Sequence, residues 1–331
     1  MVLALIIPAF FRKFAYNLYK CKMRNSVYSG KGRGSVVWSH LGALLAVTVW
    51  GVSFVSTKVI LDHGFRPAEV YVYRFILAYL LVLIACHKRL WSNSFRDEIL
   101  FMVCGLCAGS IYFIAENTAI EYTLVSNVSL ITSISPLITA FMLGLIYKNE
   151  KPGKGVYISS AIALVGVACV IFNSSFVVKM NPIGDLLSLL AAVSWSIYSI
   201  VLRKLNAVYS TMFITRKTFF YGMLTAVPYM LTEPTITPIQ NLLNVEVLLN
   251  LLFLGAFASM FAYILWAQAV KSLGAIQASN YIYLSPIVTL VASVLLLDER
   301  ITWIGYMGCV LILGGMWLGD KVGRGAESRK R

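Results

Sequence analysis

Residues 119–136 read AIEYTLVSNVSLITSISP, and residues 269–286 read AVKSLGAIQASNYIYLSP. Both stretches begin with Ala and close on Ser-Pro at the same interval, Ser135-Pro136 in one and Ser285-Pro286 in the other. An acid follows each after an apolar stretch, Glu150 and Glu299. The match extends outward from there. Trp50 falls on Trp195, Lys58 on Arg203, Arg74 on Arg216, and Gly155 on Gly305. Taken in order, these pairs mark two copies of a unit holding five apolar runs. A unit with an odd number of crossings, duplicated in tandem, inserts its second copy upside down. That is the plan of an inverted-repeat secondary transporter.

Of the 331 residues 59% are hydrophobic and 13% charged, more apolar surface than a soluble domain of this size can hide. Apolar runs at roughly 38–61, 67–87, 97–118, 123–147, 155–175, 182–205, 210–231, 246–270, 275–297 and 301–320 approach or exceed the ~20 residues that cross ~30 Å of hydrocarbon. Backbone groups in lipid must pair internally, and these runs are too long and too evenly apolar for barrel strands. The expected fold is therefore an all-α integral membrane protein of ten transmembrane helices in a 5+5 inverted-topology repeat. Its first half spans 36–175 and its second 182–320. A basic leader, 1–35, and a basic tail, 321–331, flank them.

The net charge of +14 does not signal nucleic acid, because its placement follows topology. With the N-terminus inside, the inner segments carry Lys and Arg from Arg12 to Arg33, then Lys88, Arg89, Arg96, Lys148, Lys151, Lys154, Arg203, Lys204, Lys271 and the tail. The outer loops hold Arg66, Lys179 and Arg300. This positive-inside bias puts both termini in the cytoplasm and the chain in a plasma membrane, expected to be a bacterial inner membrane. The apolar run VLALIIPAFF near the N-terminus is too short to cross. It reads as a disordered or interfacial leader, with Met23 as an alternative start. Cys104 and Cys107 form a C-x-x-C spacing within an apolar run, with no second pair and no nearby His, and read as packing residues.

Charges inside spans are the sharpest functional signal, since each is costly near the bilayer centre. The set is Lys58, Arg74, Glu116, Asp185, Arg216 and Lys217. Lys58 and Lys217 read as snorkelling residues near the surfaces, and Asp185 as an acid in a helix first turn. Arg74 and Glu116 fall in the same outer half, where they neutralise each other or grip a charged solute group; a purely structural pair is the competing reading. Arg216, the counterpart of Arg74, falls toward the inner side. Pro136 and Pro286 mark equivalent helix bends, either flexing along the pathway or fixed in packing. Polar residues gather beside them, among them Asn117 and Asn127 in the first half and Gln277 and Asn280 in the second. Trp50, Tyr112, Trp195 and Tyr281 fall at cavity-side positions, where stacking on solute competes with ordinary belt or packing roles.

No Gly-rich phosphate loop, no HExxH and no His cluster occurs, and His40, His63 and His87 are dispersed. No enzyme activity, no metal and no cofactor is expected. A proton or solute gradient is left to drive transport. The oligomeric state is not legible.

Taken together, these features resemble the EamA-type ten-span branch of the drug/metabolite transporter superfamily. The resemblance covers residues 36–320 and rests on Trp50-Gly51-x-x-Phe54, Arg74, the two Ser-Pro segments, Glu150 and the LLLDER run that ends at Arg300. It implies a pathway between two five-helix halves, with the fifth and tenth spans peripheral. It also implies export or exchange of amino acids and related small metabolites by alternating access. Lys148-Asn149-Glu150 departs from the apolar-acid form of the second half. A lipid flippase or a proton-coupled multidrug exporter on the same frame is the alternative. The latter wants a deep acid, and Glu116 is the candidate, placed by the sequence close to the outer surface.

Overall fold

Short polar signals set the helix boundaries of this computed structural model, which describes residues 33–87, 90–123, 125–147, 153–171, 181–232, 236–288, 291 and 302–328. Helix α1 (Arg33–Asp62) ends before Gly64, whose φ of 86° is open to glycine at little cost. Helix α2 (Pro67–Ala85) starts with proline in its first turn, and the Arg66 N–H donates to Glu69 Oε2 at 2.8 Å. Helix α3 (Phe95–Tyr122) is capped by Ser94, whose hydroxyl accepts the Asp97 N–H; Asp97 and Glu98 in its first turn suit the helix dipole. Helix α4 comes in two pieces, Val125–Thr132 and Ser135–Ile146. Helix α5 is Lys154–Ile171.

The second half repeats the pattern. Asn181 caps α6 (Pro182–Leu205), Ser210 caps α7 (Thr211–Leu231) and Asn244 caps α8 (Val245–Leu273). Gly274, at φ 88°, turns the chain directly into α9. That helix begins as Ala275–Asn280, tightens to a 3-10 turn at Tyr281–Leu284, and resumes at Ser285. Helix α10 is Trp303–Ser328. The leader before residue 33, Met23, Asn127's side chain, Glu150, Glu299 and Arg300 lie outside the described residues.

Among the described residues every regular element is helical, and six helices are long and apolar enough to cross a membrane. They are α1, α2, α3, α4, α6 and α8; α5 and α10 contribute shorter apolar stretches, Lys154–Cys169 and Trp303–Gly319. Large apolar side chains cover the outside as well as the core. Ile84, Leu186, Val310 and Trp317 face outward, while Ser188, Ser196, Ser199, Thr139 and Thr218 are buried between helices. An apolar outside suits lipid, and small hydroxyl residues within the core let helices approach and bond. The chain is an integral membrane protein.

Helices of one half pack on their counterparts in the other: α2 on α7, α4 on α9, α5 on α10. Helix α3 packs on α6, and α1 reciprocates against α8 through Trp50 and through Gly42 beside Leu265. Glycine makes the closest approaches possible. A Cβ on Gly166 of α5 would lie 2.7 Å from Gly308 O of α10, and one on Gly315 of α10 would lie 2.8 Å from Ala163 N of α5.

Two findings depart from the sequence reading. Lys217 does not snorkel: its ammonium is buried, 2.8 and 2.9 Å from the two Glu98 carboxylate oxygens. The membrane end of α3 supplies a partner, which makes burial cheaper than reaching for the surface. The bend at Ser135-Pro136 is a break in α4 rather than a kink within a continuous helix.

Candidate functional site: a cavity between the two halves

A cavity of about 50 Å³ lies where the halves meet. Helix α1 contributes Val47, Trp50, Ser53 and Phe54; α3 contributes Tyr112, Phe113 and Glu116. Thr132, Ser133 and Ser135 enter from the break in α4, Trp195 from α6, Tyr263 from α8, and Ile282 and Ser285 from α9. A space of this size admits a few waters and no metabolite, so a solute enters only if the helices part.

The break in α4 brings its polar groups to this wall, and two of the wall's aromatic side chains bond back to irregular segments of α3 and α8. In α3 the α-helical bonding gives way to a π-type segment, Leu106–Ser110, kinked at Gly109 (φ −124°, ψ −108°), and in α8 to a longer one, Phe253–Phe261. The register that sets Ala119 on Ala269 also sets these two segments on each other. Each offers a carbonyl to an aromatic donor. Trp50 Nε1 donates to Ala258 O at 2.8 Å, and Tyr263 Oη donates to Ala108 O at 2.6 Å. Ala108 and Ala258 are counterparts in that register. π-segments of this kind recur at functional sites because they misalign the backbone ladder and free its acceptors.

The prolines work alongside. Ser196 Oγ of α6 donates to Ser135 O at 2.9 Å, just before Pro136. Its counterpart Gly51 of α1 lies so close to α9 that a Cβ there would sit 3.2 Å from Ser285 O, just before Pro286. The two tryptophans meet edge to face, 5.1 Å between ring centroids, and both contact Tyr263 at 5.8 Å. Trp50 Nε1 is bonded; Trp195 Nε1 is buried and finds no hydrogen-bond partner among the described residues.

The expected site residues separate into groups. Trp50, Tyr112, Glu116 and Trp195 share the cavity wall. Glu116 is buried there, with Oε1 accepting the Tyr112 hydroxyl at 2.6 Å. It lies toward the Tyr122 end of α3, as the sequence placed it, and is covered there by neighbouring helices. Arg74 is buried one layer behind. Its Nε donates to Ser259 Oγ at 2.9 Å, its guanidinium lies 4.6 Å from the Phe113 ring centroid, and one terminal nitrogen has no partner. No ion pair joins Arg74 to Glu116 among the described residues. Asn117 donates instead to Pro67 O at 3.0 Å, tying α3 to the start of α2. Arg216 reaches the Cys86 carbonyl at the end of α2 and covers Phe213 at 5.1 Å. Tyr281 Oη bonds His40 Nδ1 at 2.6 Å, Asn280 lies beside Gly319 of α10, and Gln277 lies on α9 outside the lining. Pro136 and Pro286 are buried.

Phe113, Ser53 and above all Tyr263 were not singled out from the sequence. The repeat itself held the signal for two of them, since Phe113 and Tyr263 are counterparts in the register that carries the Ser-Pro match.

With this geometry in view, comparison with known proteins is decisive. The family model described as "EamA-like transporter family" matches the chain twice, over residues 37–172 and 182–318. The chain belongs to the EamA-like transporter family. The two matches are the two halves, so the EamA repeat is the unit duplicated here. Among curated relatives, an Archaeoglobus fulgidus protein named "Uncharacterized transporter" is 25% identical over 286 residues, covering 85% of this chain and 96% of the relative. An Escherichia coli (strain K12) protein named "Probable amino-acid metabolite efflux pump" is 25% identical over 283 residues, covering 83% of this chain and 92% of the relative. A solved crystal structure superposes with a TM-score of 0.68 at 18% identity, covering 89% of this chain and 99% of that one, a likeness of fold. At the family level the EamA chain is a membrane transporter.

Proposed function

We propose that this protein is a secondary active transporter that exports or exchanges amino acids or related small metabolites by alternating access. The cavity between the halves is its solute site. Ten helices cross the membrane as a 5+5 inverted repeat, with both termini cytoplasmic and the plasma membrane of a bacterium as its home. A proton or solute gradient drives the cycle.

One observation carries this reading: two aromatic side chains that line one cavity, Trp50 and Tyr263, each donate to a backbone carbonyl at matched positions of α8 and α3, Ala258 and Ala108. Two equivalent half-sites around one solute site are what alternating access between inverted repeats requires. The small cavity fits a closed stage of that cycle. The relative named for amino-acid metabolite efflux supports the substrate class. Comparing metabolites in medium and cytosol with and without the gene, then measuring flux of each hit in proteoliposomes, tests the reading. The expected result is saturable counterflow of an amine-bearing metabolite. Linear, non-saturating conductance would replace a transporter with a channel.

A further inference from the structure

The cavity has a chemical bias that points to a narrower substrate class. Its lining includes one formally charged group, the Glu116 carboxylate. Around it stand the rings of Trp50, Tyr112, Phe113, Trp195 and Tyr263. Ring faces attract cations, and a cage of such rings closed by a carboxylate is suited to an ammonium group. Tyr112 Oη occupies Oε1, and the other carboxylate oxygen takes no hydrogen bond among the described residues. Arg74, which would favour an anion, is not part of the lining and makes no ion pair with Glu116 among the described residues: Ser259 Oγ accepts its Nε–H, and its guanidinium lies 4.6 Å from the Phe113 ring centroid.

Resting on the transporter reading, we propose that Glu116 is a proton–cation exchange site. Its carboxylate binds the ammonium group of an amine that lacks a free carboxylate, and it carries a proton when the amine is absent. The physical reason is that a lone carboxylate in a poorly hydrated, ring-lined space must be neutralised, by a proton or by a bound cation. Arrival of the ammonium releases the carboxyl proton to the aqueous phase, and departure of the amine takes one back. No covalent bond changes. The groups facing Glu116 leave this exchange to it. Tyr112 from its own helix and Tyr263 from α8 are phenols, Arg74 from α2 is a fixed cation, and Ser53, Ser133, Trp195 and Ser285 from the remaining walls are uncharged. Arg74 tunes the affinity for a cation without adding a titrating group.

The test uses the purified full-length chain in weakly buffered detergent, with 2-phenylethylamine as probe and the zwitterion phenylalanine as its comparator. Proton release is read with a pH dye, and binding by quenching of tryptophan fluorescence. The amine is expected to bind and release a proton, and its binding to weaken as the pH falls, because proton and ammonium compete for one carboxylate. Glu116→Gln, which keeps the shape and the Tyr112 partner, is expected to bind it about tenfold or more weakly and release none. If that variant does not fold, Glu116→Asp must retain release. Binding of the amine without proton release overturns the proposal, as does preference for phenylalanine, or unchanged binding by Glu116→Gln. Counterflow separates this from the broader reading. If phenylalanine crosses in proteoliposomes and Glu116→Gln carries it equally well, the transporter stands and the exchange site falls. If the amine exchanges for a proton but no solute crosses, the exchange site stands and the transporter falls.

Discussion

Helices α3 and α8 are the same element used twice, and they differ where it matters. Each carries a π-segment at the same register, and each places an aromatic side chain, Phe113 or Tyr263, on the cavity. Beyond these, the two diverge. Where α3 has Tyr112 and Glu116, α8 has Ala262 and Trp266. Trp266 is buried, and its Nε1 finds no partner among the described residues. Duplication has thus kept the backbone device on both sides and a carboxylate on one. Symmetric parts allow two equivalent gates, while a single acid gives the cavity one electrostatic preference.

Substitutions at paired positions probe how far the likeness goes. The largest effect is expected where the halves differ in chemistry. Lys217 of α7 is ion-paired with Glu98, whereas its counterpart Phe75 of α2 sits among Phe113, Phe219 and Tyr263. Lys217→Met leaves the Glu98 carboxylate with no cation and only the Tyr221 hydroxyl and Ser92 N–H as partners, and should cost about 3 kcal/mol, with a visible drop in melting temperature in detergent. Glu98→Gln made in the Lys217→Met background should recover part of that loss.

A middling effect is expected at matched glycines. A Cβ on Gly105 of α3 would lie 2.5 Å from Tyr221 Cβ and 2.6 Å from Gly222 N, positions that cannot yield without moving α7. On Gly255 of α8 the nearest atom is Leu77 Cδ2 at 2.7 Å, the end of a flexible side chain. Gly105→Ala should therefore destabilise by about 2 kcal/mol and Gly255→Ala by about 1 kcal/mol or less, read from paired thermal melts. Equal losses would mean that the two helix contacts yield alike.

The smallest effects separate the tryptophans. Trp50→Phe removes the bond to Ala258 O and leaves that carbonyl without its donor, a loss of about 1 kcal/mol. Trp195→Phe removes an N–H with no partner among the described residues, so beyond the packing loss common to both it should cost about 1 kcal/mol less than Trp50→Phe. The same melts decide it, and a larger loss at Trp195 would reveal a bond made in a state other than this one.

Much of the fold was legible because lipid imposes length and composition on each span, and because the Ser-Pro segments announce the repeat. Trp50 and Trp195 were paired by register alone, and they touch. The π-segments were not legible. Nothing in LCAGS or FLGAFASMF distinguishes a widened turn from ordinary apolar helix, since the choice is made by neighbours such as Tyr221 and Leu77 packing against glycine. Glu116's burial was not legible for a related reason. Position along a span gives distance from its end, but burial depends on the helices that cover it. Here α3 extends to Tyr122, and the packing of α6 places Trp195 beside Tyr112 at 5.2 Å. Asn117 and Arg216 look like pathway residues by polarity alone. They instead satisfy carbonyls at the two ends of α2, Pro67 and Cys86.

The decisive measurement is the accessibility of the cavity from the two faces of the membrane. Ser53 lines it from α1, and among the described residues its hydroxyl bonds within its own helix, donating to Trp50 O at 2.8 Å. In a functional chain whose native cysteines are replaced, Ser53→Cys should react with an impermeant maleimide in both right-side-out and inside-out vesicles, and solute should protect it on both sides. Reaction from a single face under every solute and gradient condition would contradict alternating access through this cavity.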